Sequence, residues 1–148
     1  GKLGLKVVLL GGDQERGIAK AILDYVETGC RSLVGRLTLL ELAALLRRAT
    51  LFVGNDSGPM HIAAAMGAPV IGLFGPSDPR MWGPAGQNHA VFYKGIDCRP
   101  CFPGGCLRGE NNCMRLIGLD EVIPVVERML EQPDLCDNRQ ALTRTEIS

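Results

Sequence analysis

The sequence predicts an α/β fold in which a parallel sheet carries helices on both faces. Three observations lead there. Short apolar runs at Lys6–Leu10, Leu51–Gly54 and Val70–Phe74 lack polar alternation, as strands buried on both faces do. Helical patterns of about 10–15 residues lie between the strands, the spacing of βαβ units. Each run gives way to a turn containing glycine, where a parallel strand hands over to its helix.

Taken in order, Lys6–Leu10 is a β-branched run stopped by Gly11 and Gly12. From Asp13 to Glu27 the period changes: Ile18, Ile22 and Val26 recur at four-residue spacing, and Gly29 stops the helix. Ser32–Val34 reads as a brief second strand. Thr38 and Glu41 form a capping box ahead of an Ala/Leu-rich helix reaching about Arg48. Leu51–Gly54 is the third strand, Asn55–Gly58 a turn, and Pro59 suits the first position of a helix that Gly67 ends. Val70–Phe74 and Ala90–Tyr93 are the fourth and fifth strands. A cysteine-rich loop over 97–114 follows, then a last helix from about Asp120 to Leu130, with Pro124 tolerated near its first turn. Residues 133–148 have no period and read as a tail, which leaves 1–132 as the folded part.

Composition narrows the function classes. The 148 residues are 46% hydrophobic and 22% charged, a globular balance, and a chain of that length buries roughly 68–70% of its unfolded surface. Lys+Arg and Asp+Glu are equal at 16 each, so no overall field draws nucleic acid or an anionic membrane. The longest apolar run, 62–75, is broken by Gly67 and Pro69 and is too short to span a bilayer. The amino end enters a strand directly, without a signal-peptide pattern, and reads as the start of an excised fragment with Gly1 as a tag remnant. A cytoplasmic location, with its thiols reduced, is therefore expected.

Ligands of open α/β sheets bind beyond the carboxyl ends of the strands. Three segments fall there: Gly11–Glu15, Asn55–His61 and Gly75–Trp82. In the second, Gly58 lets a ligand approach the backbone, and the helix starting near Pro59 aims free N–H groups and its positive dipole end at the same spot. Amides at Ser57 and Gly58, with the Ser57 hydroxyl, make a cradle for a diphosphate. Asp56 repels phosphate, so it serves either sugar hydroxyls or the helix as a cap; a plain turn with an N-cap is the competing reading of the whole segment. His61, in the first turn, either donates to a phosphate oxygen as a neutral imidazole or packs against its helix. Glu15 either complements the helix dipole or accepts from ribose hydroxyls. Trp82 reads as packing and His89 as ordinary surface. There is no dinucleotide fingerprint and no P-loop, and Asn55 and Pro59 stand where a nucleophile elbow around Ser57 requires glycine.

The stretch NDSGPMHIAAAMGAPVIGLFGPSDP, residues 55–79, resembles the signature of glycosyltransferase family 9, the ADP-heptose:lipopolysaccharide heptosyltransferases. The resemblance runs from the first strand to about Leu130. It implies a GT-B fold of two Rossmann-like domains, of which this chain resembles the carboxy-terminal, donor-binding one. By position, Asp56, Ser57, Gly58 and His61 match the family's motif around sugar and diphosphate. Glu15 matches a carboxylate that holds the ribose, and the segment at Leu37 and Thr38 matches the stretch against the base. The general base belongs to the acceptor domain, which this chain lacks, so no catalytic residue is assigned. The implied reaction is inverting transfer from ADP-heptose to the lipopolysaccharide core. No cofactor is implied, and no Asp-x-Asp pair offers itself to a divalent metal. Peripheral association with the cytoplasmic face of the inner membrane is expected only of a full-length protein.

Cys98, Cys101, Cys106 and Cys113 lie within 16 residues, with Pro100, Pro103 and three glycines among them. Four thiolates suit tetrahedral zinc, but a second C-x-x-C pair is missing; unligated thiols and a disulfide are the other states. Cys30 and Cys136 look incidental. Two further classes remain open: another nucleotide-sugar enzyme of this architecture, such as a UDP-sugar transferase or epimerase, and a non-catalytic zinc or interaction module built on the cysteine loop.

Overall fold

A computed structural model describes residues 4–26, 28–96, 106, 108–109 and 112–131. Its strands run parallel in two ladders, and the chain divides into two compact units, 1–42 and 43–148.

The first unit holds β1 (Val7–Leu9), a 3-10 turn (Asp13–Glu15), α1 (Arg16–Tyr25) and β2 (Cys30–Ser32). β1 and β2 pair in parallel with Val7 opposite Cys30 and Leu9 opposite Ser32. The second strand thus starts two residues earlier than the sequence suggests. The ladder opens where Val7 N–H meets the Gly29 carbonyl, directly after the glycine turns at φ +82. The expectation of a doubly buried first strand fails here, since Val7 is 47% and Val8 37% exposed. The stripe of α1 is likewise open, with Ile18, Ile22 and Val26 exposed and only Ala19 buried. One helix on a two-stranded ladder cannot cover both of its faces.

α2 (Leu39–Leu46) opens on the anticipated capping box. Glu41 Oε2 accepts from Thr38 N–H at 2.8 Å and from its hydroxyl at 2.7 Å, while Thr38 Oγ1 accepts from Glu41 N–H at 3.4 Å. The Thr38 backbone bond, then its hydroxyl, hold the Glu41 carboxyl below its ordinary value.

The second unit is a sheet ordered β3 (Phe52–Asn55), β4 (Val70–Phe74), β5 (His89–Tyr93), with α3 (Gly58–Ala65), α4 (Pro79–Trp82) and α5 (Leu119–Glu131). The sequence had given no sign of α4, which is a single turn. β4 is central and almost wholly buried, as its unbroken apolar run requires. On one face Ile71 and Ala90 meet Met129 of α5, with Leu73, Phe92, Val125 and Val126 around them. On the other, a Cβ at Gly72 would lie 3.2 Å from Met60 Sδ and 2.9 Å from the Phe74 ring, so the glycine lets α3 close on the strand. Parallel strands with helices on both faces are what the sequence predicts, and this unit delivers them.

Two local expectations are corrected. Pro124 sits inside α5, past its first turn, because the helix begins at Leu119. His89 is 3% exposed: its Nε2 donates to the Ala85 carbonyl at 2.8 Å and its Nδ1 has no partner among the described residues. The carbonyl can only accept, which fixes the Nε2–H tautomer. Sequence position before a strand gave no sign that the register would carry this side chain inward.

Candidate functional site

In the second unit, paired strands bring two loops out side by side. Asn55 ends β3 opposite Leu73 of β4, so 55–58 and 75–78 emerge from adjacent carboxyl ends. The first of these loops runs into α3. Its N-cap is Ser57, in extended conformation, yet no side chain among the described residues caps the helix. The Ser57 hydroxyl donates backward to the Asn55 carbonyl at 3.2 Å. Asp56 does not cap either. It precedes the cap position and turns its Oδ1 to within 3.5 Å of His61 Nε2, so the cap reading of Asp56 is corrected.

The amides divide cleanly. Met60 and His61 both donate to the Ser57 carbonyl, at 3.0 and 3.4 Å, and Pro59 has no N–H. The Ser57 and Gly58 amides are left at the positive end of α3. A Cβ built on Gly58 meets nothing within 4 Å, so this backbone is open to close approach. An anion is the chemical partner such an end accepts best. His61 is turned toward a carboxylate, which ties it to Asp56.

The 75–78 loop is braced from within its unit. A Cβ at Gly75 would lie 3.0 Å from Met114 Sδ and 3.5 Å from Cys113 Sγ, which seats the end of the cysteine-rich segment against it. Asp78 caps α4 through Arg80 N–H at 2.9 Å and holds the Arg80 guanidinium at 2.7 Å. Trp82, expected to pack, is 55% exposed and Met81 77%, because one turn of helix cannot bury its own apolar side chains. Cys113 is buried and Cys106 exposed, while Cys98, Cys101 and Cys136 lie outside the described residues. Among the described residues no cluster of three or more His, Cys, Asp or Glu side chains could hold a metal ion.

In the first unit, Glu15 folds back over the glycine turn; Cβ atoms at Gly11 and Gly12 would each lie 3.2 Å from its side chain. Thr38 stands at the end of the neighbouring loop with its hydroxyl proton committed to Glu41. Sequence reasoning missed the bridge between these loops. Asp13 accepts from Arg16 Nε at 2.8 Å and Nη2 at 2.6 Å, and Arg16 Nη2 also donates to the Gly35 carbonyl at 3.0 Å. The Asp13–Arg16 spacing was visible as a helical i,i+3 pair; its reach to Gly35 was not.

Parallel strands flanked by helices, with open backbone amides at a helix start beyond the strand ends, define a Rossmann-like α/β protein. The family model of glycosyltransferase family 9 (heptosyltransferase) matches residues 1–111, and the chain belongs to that family. Lipopolysaccharide heptosyltransferase 3 of Escherichia coli K12 is 40% identical over 143 residues, which cover 93% of this chain and 41% of that protein. Lipopolysaccharide heptosyltransferase 2 of Salmonella typhimurium is 39% identical over 92 residues, 60% of this chain and 26% of that protein. Among solved structures, E. coli ADP-heptose LPS heptosyltransferase II superposes with a TM-score of 0.71 at 28% identity, covering 89% of this chain and 38% of that one. A family 9 glycosyl transferase from Veillonella parvula gives 0.74 at 28% identity, covering 88% and 38%. The chain thus spans about two fifths of the length of E. coli K12 heptosyltransferase 3, 41%.

Proposed function

We propose that this chain is the donor-binding part of a heptosyltransferase and that its donor is ADP-heptose. The observation that carries the reading is the start of α3, where the Ser57 hydroxyl does not cap the helix, the Ser57 and Gly58 amides have no hydrogen-bond partner among the described residues, and a Cβ at Gly58 would meet nothing. A diphosphate placed there gains two backbone donors and the helix dipole, and both strengthen as charge develops on the leaving oxygen. Asp56, turned away from the cap position, accepts from hydroxyls of the sugar. Glu15 accepts from the ribose, and the segment at Leu37 and Thr38 borders the base. The general base and the lipopolysaccharide-core acceptor belong to a second domain outside these residues, which makes 1–132 the donor domain. Attack on the anomeric carbon inverts it, and the helix start takes the leaving-group charge with no Asp-x-Asp pair in the sequence to recruit a metal. Among the described residues no helix is long and apolar enough to cross a membrane; peripheral work at the cytoplasmic face of the inner membrane belongs to the full-length protein.

Calorimetric titration with ADP, UDP and GDP tests this. ADP should bind with a Kd of about 10 μM to 1 mM, weak because one domain supplies only part of the contacts. Silence of demonstrably folded protein toward millimolar ADP refutes the reading, and a preference for UDP reassigns the donor to a UDP-sugar.

A further inference from the structure

The geometry points to Arg16 as a positioning residue: with Asp13 and Gly35 it clamps the two loops of the first unit into a rim that receives a nucleoside. This inference rests on the donor-binding reading above. The clamp has four hydrogen bonds. The β1–β2 ladder continues past its strands to a last bond from Gly35 N–H to the Gly11 carbonyl at 2.9 Å. Arg16 closes the other side, holding the Asp13 carboxylate at 2.6 and 2.8 Å and the Gly35 carbonyl at 3.0 Å. Gly35 is therefore held through both its N–H and its C=O.

The chain is shaped around this device. Gly35 adopts φ +66, and a Cβ there would collide with Asp13 Oδ1 and lie 2.7 Å from Arg16 Nη2. Only glycine permits both the turn and the approach. What the clamp contributes is geometry more than stability. The Asp13 and Arg16 side chains are 76% and 54% exposed, and ion pairs that solvated hold a fold together weakly. The residues it fixes matter more: Glu15 lies between Asp13 and Arg16 in sequence and folds over Gly11 and Gly12, and Leu37 and Thr38 follow Gly35. A carboxylate meant to accept from two vicinal hydroxyls needs its turn held still, and a guanidinium fork can bind a carboxylate and a carbonyl at once.

The test uses Arg16→Met, Asp13→Ala and the double variant, with ADP and 2′,3′-dideoxy-ADP as calorimetric probes and amide exchange of residues 12–15 and 35–37 as a second measurement. We expect each single variant to bind ADP about three- to tenfold more weakly, the range of one mispositioned hydrogen bond. Binding of dideoxy-ADP, which keeps the base but offers Glu15 no hydroxyls, should fall by clearly less than binding of ADP, and the double variant should be no weaker than either single one, because both break the same device. A merely structural role would lower affinity for both nucleotides equally, and that result overturns the proposal. So does wild-type ADP affinity in Arg16→Met. If wild-type protein binds neither nucleotide, the donor reading fails, and amide exchange then decides the clamp alone: loops that open no faster in Arg16→Met overturn it.

Discussion

Replacing Asp56 separates a donor contact from a helix cap. Among the described residues the ionisable group beside the carboxylate is the His61 imidazole, its Nε2 at 3.5 Å, and the two side chains are 23% and 43% exposed. A contact that long and that solvated contributes well under 1 kcal/mol. No side chain among the described residues caps α3, so Asp56→Asn and Asp56→Ala should each leave stability within about 0.5 kcal/mol, roughly 1–2 °C in Tm for a chain of this size. A capping Asp56 would behave differently: Asn would be neutral and Ala would cost about 1 kcal/mol. Binding gives the complementary signal. A hydrogen bond from a sugar hydroxyl to a carboxylate contributes about 1.5–3 kcal/mol, so Asp56→Ala should weaken ADP-heptose by about 10- to 150-fold. Affinity for ADP should hold or rise slightly, because the lost charge repelled the diphosphate. Calorimetry with both ligands, beside melting curves, reads all of this. Unchanged ADP-heptose affinity in Asp56→Ala refutes the sugar contact, and a drop of several degrees in Tm for Ala but not Asn restores the cap.

Gly58→Ala should keep or slightly raise Tm, since its Cβ meets nothing, yet weaken ADP measurably by calorimetry. Gly72→Ala should lower stability in urea melts by about 1–3 kcal/mol, because the new methyl presses on the buried Phe74 ring. His89→Ala should cost roughly 2–4 kcal/mol in the same melts, where a surface histidine would cost almost nothing. Lys94 Nζ bonds Glu121 at 2.8 Å, and Glu121 also accepts from Gly118 N–H at the start of α5; the Lys94 bond first, then the Gly118 bond, hold the carboxyl below its ordinary 4.5. A depressed folded value means stability that is present above the ordinary value and lost as pH falls through the folded one. Glu121→Gln should therefore melt earlier than wild type at about pH 7, and the gap should close toward about pH 3.

The fold was legible where local rules and packing agree. β4 was placed to the residue because an unbroken apolar run between Pro69 and Gly75 has no other stable arrangement in a parallel sheet. The Thr38–Glu41 box was legible because its bonds span only three residues. What failed depends on neighbours. Whether Val7 and Val8 are covered is decided by how many elements surround β1, and the side to which His89 points is set by its pairing with Val70. Residues 55–61, the proposed donor segment, were legible as a strand-to-helix turn, but their geometry was not. Asp, Ser and Gly before a proline fit an N-cap and an anion site equally well. Only the direction of the Ser57 hydroxyl and the position of Asp56 distinguish the two.

The glycines make that distinction from an independent side. At most crowded positions the chain itself explains the residue. Gly35 has a positive φ and an Asp13–Arg16 pair against it, Gly75 faces Met114 and Cys113, and a Cβ at Gly83 would lie 2.5 Å from the Pro79 carbonyl. Gly58 has neither a positive φ nor a neighbour within 4 Å of its missing Cβ. Glycine is a poor helix residue, so at the start of α3 the fold alone would be served better by alanine. Ser57 departs from local preference in the same way, being a strong capping type at the cap position whose side chain leaves the helix uncapped. Two successive residues at the start of α3 thus forgo the stabilising option, and departures of this kind are expected where a protein binds its ligand. The diphosphate and sugar proposed above would use the open backbone and spare amides of these two residues and the Asp56 carboxylate beside them.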